Sequence, residues 1–97
     1  MTQLVFRPSA AADVEDAFLW YESQRLGLGE EFLEELELVV QAISESPRRF
    51  PVVHRDTRRA LLHRFPYAVF YRILADRIVA VACFHGARDP RHSRGRR

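Results

Sequence analysis

Residues 60 to 84 read ALLHRFPYAVFYRILADRIVAVACF, and this stretch decides the fold. Three runs rich in β-branched and aromatic residues, Ala60 to Phe65, Tyr67 to Leu74 and Ile78 to Phe84, are separated by Pro66 and by Ala75-Asp76-Arg77, which reads as three strands. The short Asp76-Arg77 connection predicts an antiparallel hairpin. Ile78 to Phe84 is apolar at every position, so it should be covered on both faces and lie centrally in a sheet.

Upstream the hydrophobic period changes. Val14, Ala17, Phe18 and Tyr21 fall at i, i+3, i+4 and i+7, predicting an amphipathic helix with Ser9 as its N-cap and with Asp13, Glu15 and Asp16 suiting its positive end. Gly27 and Gly29 break that pattern and permit a tight reversal. A second helix follows, with Phe32, Leu36, Val39, Val40 and Ile43 as its apolar stripe, Glu30, Glu31, Glu34, Glu35 and Glu37 on its outer faces, and Pro47 at its end. Leu4, Val5 and Phe6 predict a short first strand stopped by Arg7-Pro8. The expected fold is a small single α+β domain in the order β-α-α-β-β-β. It begins with an N-terminal strand, continues with an α-helical hairpin packed on one face of an antiparallel sheet, and ends in a basic C-terminal tail.

Charge is segregated along the chain. Met1 to Ser46 holds two arginines against ten acids, a net of −8, and Pro47 to Arg97 holds thirteen arginines against three acids, a net of +10. One side should therefore be acidic and helical and the other an arginine-lined sheet, a surface suited to phosphates or carboxylates. Two helices can cover only one sheet face, so the other is expected to carry apolar residues among arginines and to await a partner.

Composition narrows the class. A chain of 97 residues with 47% hydrophobic and 29% charged residues makes one globular domain with a modest core. The single cysteine, Cys83, excludes an internal disulfide and reads as a small buried residue. There is no apolar signal core, and Ile78 to Phe84 is too short to cross a bilayer, so a cytoplasmic location is expected. The glutamates of the second helix have the spacing of a solvated face, and His54 and His92 have no metal-ligand spacing with each other or with Cys83. Neither a metal nor a cofactor is implied, and no phosphate loop or nucleophile elbow occurs.

Several stretches carry a resemblance: Trp20-Tyr21, Gly27-Leu28-Gly29-Glu30-Glu31-Phe32, Pro47, Arg64-Phe65-Pro66-Tyr67-Ala68-Val69-Phe70-Tyr71-Arg72, and Phe84-His85-Gly86-Ala87-Arg88-Asp89-Pro90-Arg91. In this order and spacing the chain resembles the RelE/ParE superfamily of bacterial toxins from type II toxin–antitoxin systems. The resemblance implies a toxin domain over residues 1–91 and a basic tail over 92–97, expected to be mobile. It also implies a growth inhibitor neutralised by a cognate antitoxin, with which homo- or hetero-oligomers are compatible.

Members differ in mechanism. RelE-like toxins cleave mRNA in the ribosome without a metal, chemistry that needs a general base for the 2′-hydroxyl, cations for the phosphorane and an acid for the leaving oxygen. For such a nuclease the candidate catalytic residues here are His85, Arg88 and Arg59. Arg58, Arg59, His63, Arg64, Tyr71, Arg72 and Arg91 are candidates for binding a target or the antitoxin. Where RelE-like toxins place an arginine after the aromatic of the third strand, this chain has Ala68, and no tyrosine follows Arg88. ParE-like toxins, which bind and inhibit DNA gyrase, share those departures and are the expectation. A RelE-like endoribonuclease acting on ribosome-bound mRNA and a non-toxic nucleic-acid-binding module are the alternatives.

Overall fold

The computed structural model describes residues 3–85; Arg88, Arg91 and the tail over 92–97 lie outside the described residues. The chain runs β1 (Leu4–Phe6), α1 (Pro8–Gln24), α2 (Leu28–Glu45), a 3-10 turn (Pro47–Arg49), β2 (Val52–His54), β3 (Thr57–Leu61), β4 (Tyr67–Ile73) and β5 (Ile78–His85). The five strands form one sheet in the order β1-β5-β4-β3-β2. The expected strand, helical hairpin and three-strand order is present, with β5 flanked on both sides. The strand expected over Ala60 to Phe65 runs instead from Thr57 to Leu61, and residues 63–66, kinked ahead of Pro66, form the turn into β4. Two features extend the expected order. Val52–His54 adds an edge strand, and β1 pairs parallel to β5 whereas every other pair is antiparallel.

Local chemistry explains the element ends. Pro8 occupies the first turn of α1, where its missing N–H costs nothing, and Arg7 is the N-cap without a side-chain cap. Ser9 is therefore not the expected N-cap, and its hydroxyl instead donates to the Val81 carbonyl at 3.4 Å. Gly27 takes φ 90°, a left-handed conformation that ends the reversal between the helices, and the Glu22 carboxylate accepts the N–H groups of Gly27 and Gly29, each at 2.9 Å. Gly29 lets the two helices touch: a Cβ there would meet the Phe18 ring at 2.7 Å and the Phe18 carbonyl oxygen at 2.8 Å.

Both helices cover one face of the sheet. Tyr21 of α1 and Phe32, Leu36 and Ile43 of α2 pack with Val69, Tyr71, Ile78, Ala80 and Cys83. Tyr21 and Phe65 meet edge to face at 4.8 Å between ring centroids, as do Phe32 and Tyr67 at 5.6 Å. Side chains of this size each contribute about 1.5–3 kcal/mol on full burial, so this aromatic cluster is a main anchor of the hairpin on the sheet.

Two acids expected on the surface are buried. Asp13 lies in the buried stripe of Ala10, Ala17 and Tyr21. The three-residue β1 reaches only Ala80 on β5, and past that point the Asp13 carboxylate accepts the Cys83 N–H at 3.0 Å. A buried carboxylate is stable there because it satisfies a strand edge that would otherwise be orphaned. Glu35, which follows Phe32 by three residues, faces the β3–β4 turn rather than solvent.

Candidate functional site

Strand alternation separates the basic residues. On β3, Arg58 and Ala60 stand opposite Tyr71 and Val69 and so face the helices, while Arg59 and Leu61 stand opposite Phe70 and Ala68 and face the other side. Arg58 donates through Nη1 to the carbonyls of Phe50 at 2.7 Å and Arg48 at 3.1 Å. Tyr71 is fully buried, and its hydroxyl donates to the Pro47 carbonyl at 2.6 Å. Both side chains thus pin the segment between α2 and β2 to the sheet. Tyr71 lies beyond the reach of any partner, and burial pushes its hydroxyl pKa up to about 12 against the smaller opposing pull of Arg58.

The outer face holds Arg59 and Arg72 around an apolar cluster. Phe70 and Phe84 are 4.6 Å apart and, with Ala68 and Ala82, are flanked by Val53 and Val81. Arg72, opposite Val79, pairs with Asp56 at 3.1 Å and holds that carboxyl below its ordinary range. Two expectations are corrected here. Among the described strand arginines only Arg59 and Arg72 take the outer face. The cluster between them is not bare, since Phe70 is 1% and Phe84 5% exposed.

His63 and Arg64 project from the turn joining β3 to β4, whose ends close through the Leu62 N–H and the Tyr67 carbonyl at 2.9 Å. Glu35 fixes this turn. Its carboxylate accepts the N–H of His63 and, at 2.9 Å, that of Arg64, and it receives Arg64 Nε at 3.4 Å, while Arg64 also reaches Glu31 at 3.4 Å. Burial raises the Glu35 pKa, but these donors outweigh it and the carboxyl lies below its usual range. His85 is exposed at the end of β5, opposite Tyr67 on the helix side, with ring centroids 6.5 Å apart.

The described candidate residues therefore divide into four places. Arg58 and Tyr71 lie on the helix side of the sheet, where they hold the segment after α2. Arg59 and Arg72 share the outer face, His63 and Arg64 share the β3–β4 turn, and His85 stands at the end of β5 on the opposite face from Arg59. Cys83 is buried, with its thiol pKa pushed up to about 12 by desolvation, which suits packing and not nucleophilic attack. Among the described residues no three histidine, cysteine or acidic side chains converge as metal ligands, and no helix is long and apolar enough to cross a membrane. Sequence reading missed Glu35 and Asp13. Their places in the buried helical stripes were the available signal.

Comparison with known proteins agrees with this architecture. A chain from the chromosomal ParDE TA system of P. aeruginosa matches with a TM-score of 0.78 at 17% identity, covering 88% of this chain and 96% of that one. A chain from the toxin–antitoxin complex RelBE2 of Mycobacterium tuberculosis matches with a TM-score of 0.62 at 19% identity, covering 87% and 96%. Identities this low speak for the shared fold alone. No curated protein sequence matches. The model of the family described as "ParE toxin of type II toxin-antitoxin system, parDE" matches residues 4–90. Taken with the helical hairpin, the mixed sheet and the segregated charge, that match over nearly the whole chain places the protein in the ParE toxin family, within the RelE/ParE superfamily.

Proposed function

We propose that this toxin arrests growth by binding DNA gyrase in the cytoplasm and is held inactive by a cognate antitoxin. The observation that carries a binding mechanism over cleavage is the separation of Arg59 and His85 onto opposite faces of the sheet. Cleavage of an RNA phosphodiester by its 2′-hydroxyl needs proton-transfer groups and a phosphate-gripping cation around one reacting phosphate, within hydrogen-bond reach of it. A flat contact has no such demand. Arg59 and Arg72 on the outer face, and His63 and Arg64 on the β3–β4 turn, supply charge for recognising an acidic protein surface. Arg91 is assigned to the same contact from sequence, and Arg88 has no catalytic part in this reading.

The family model, described as a toxin of a type II toxin-antitoxin system, supports the antitoxin partner, and the gyrase target is inferred from the resemblance to ParE-type toxins. The test is controlled expression in growing bacteria, with plasmid topology and transcript integrity followed together. Growth arrest with relaxed plasmid and intact transcripts is expected, reversed by co-expressing the protein from an adjoining reading frame. Arrest accompanied by cleaved ribosome-bound mRNA would replace this reading with the endoribonuclease. No effect on growth would favour a non-toxic binding module.

A further inference from the structure

Three arginines without an ion pair lie along the free edge of the sheet. β2 is the outermost strand, with β3 on one side and no strand on the other among the described residues. Arg48 and Arg49 belong to the 3-10 turn before it and Arg55 to the turn after it, and all three are exposed. None forms an ion pair among the described residues, unlike Arg25, Arg64, Arg72 and Arg77. The flanking acids are engaged elsewhere. Asp56 pairs with Arg72 at 3.1 Å, and Glu45 accepts a hydrogen bond from Gln41 at 3.3 Å.

The fold holds these cations in place. Tyr71 and Arg58 donate from inside to the carbonyls of Pro47, Arg48 and Phe50, so the turn that bears Arg48 and Arg49 is anchored to the sheet. The Arg49 guanidinium is set further by the Phe50 ring, 5.0 Å from its centroid. Arg55 stands at φ 54°, a conformation in which glycine is the more stable residue, so its side chain is kept against a backbone penalty.

Resting on the gyrase reading above, we propose that this edge grips the phosphate backbone of the duplex DNA that gyrase holds. Arg49 and Arg55 are six residues apart, at most about 20 Å along an extended chain, a reach of about six base steps on one DNA strand. Guanidinium groups bind phosphates bidentately, and such contacts fix position without reading sequence, which leaves the choice of site to gyrase. An acidic protein would meet the same cations, but a stable protein interface is built around a buried apolar centre. Between the two turns the one large hydrophobic side chain exposed is Val52, at 49%.

The test measures binding of the full chain to a labelled duplex of about 20 base pairs, by fluorescence anisotropy from about 50 to about 200 mM salt. The five arginines over residues 88–97 add to the absolute salt dependence, so the difference between variants is what is read. Each phosphate contact contributes about 0.9 to the slope of log affinity against log salt. The triple variant Arg48→Ala, Arg49→Ala, Arg55→Gly should therefore have a slope shallower by about 2.7 and lose about 40-fold less affinity than wild type across that range. It should also require several-fold more protein to stop supercoiling. Arg55→Gly alone should bind DNA more weakly while melting at a higher temperature, a combination that misfolding does not produce. Arg25→Ala, at the end of α1, should leave the slope unchanged. An unchanged slope in the triple variant, or equal potency on gyrase, would overturn the proposal, and inhibition of supercoiling by wild type would still uphold the gyrase reading. Tighter and equally arginine-dependent binding of a single-stranded RNA of the same length would overturn it in favour of RNA. Duplex binding as expected with supercoiling untouched by wild type would uphold the phosphate contact and remove gyrase.

Discussion

Replacing Glu35 should loosen the domain more than replacing any other acid of α2. Its carboxylate accepts two backbone N–H groups, from His63 and Arg64, and makes a longer contact of 3.4 Å with Arg64 Nε. Hydrogen bonds to a charged acceptor contribute about 1.5–3 kcal/mol each, but the freed amides lie in an exposed turn where water compensates in part. Glu35→Ala should therefore cost about 2–4 kcal/mol, which for a domain of this size lowers Tm by roughly 10–30 °C. Glu35→Gln keeps one acceptor oxygen and should cost about half as much.

The same carboxyl sets a pH dependence. Its pKa is lower in the folded chain than its ordinary value of 4.5, because the donors at Arg64 and His63 outweigh the effect of burial. The stabilisation is therefore complete above the unfolded pKa and is lost as pH falls through the lowered folded value. Urea denaturation of the wild type and Glu35→Gln should give a constant gap at neutral pH that closes in acid. Amide exchange at His63 and Arg64 should accelerate in the variant. A Glu35→Ala protein within about 0.5 kcal/mol of wild type at pH 7, the ordinary spread of surface substitutions, would refute the latch. So would a gap unaffected by acid.

Three further outcomes follow from the packing. Tyr71→Phe should lose about 1 kcal/mol in urea titration, because the Pro47 carbonyl loses its 2.6 Å donor, and should leave gyrase inhibition unchanged. Gly29→Ala should cost about 1–3 kcal/mol in thermal or chemical melts, since the new methyl group meets both the ring and the carbonyl of Phe18. Arg55 adopts φ 54° in the β2–β3 turn, so Arg55→Gly should raise stability by about 0.5–1 kcal/mol, read as a higher Tm.

The features legible in sequence were those with a period. Tyr67 to Ile73 and Ile78 to His85 announce themselves through continuous β-branched and aromatic residues, and the helices through their stripes. β2 did not, because Val52-Val53-His54 is too short for alternation to register between Pro51 and the Arg55-Asp56 turn. Charge counts found the basic half but could not orient it. Adjacent Arg58 and Arg59 look equivalent in sequence, yet alternation sends one to carbonyls inside the fold and the other to the outer face. Glu35 and Asp13 were hidden by the rule that acids face water, which fails where a carboxylate satisfies backbone N–H groups that nothing else reaches.

Supercoiling by purified gyrase, titrated with this chain and run beside a ribosome-bound mRNA under the same conditions, separates gyrase inhibition from transcript cleavage. Dose-dependent loss of supercoiling with the transcript left whole is the predicted result. Undiminished supercoiling at a large molar excess of the folded chain, or cleavage of the transcript, would contradict it.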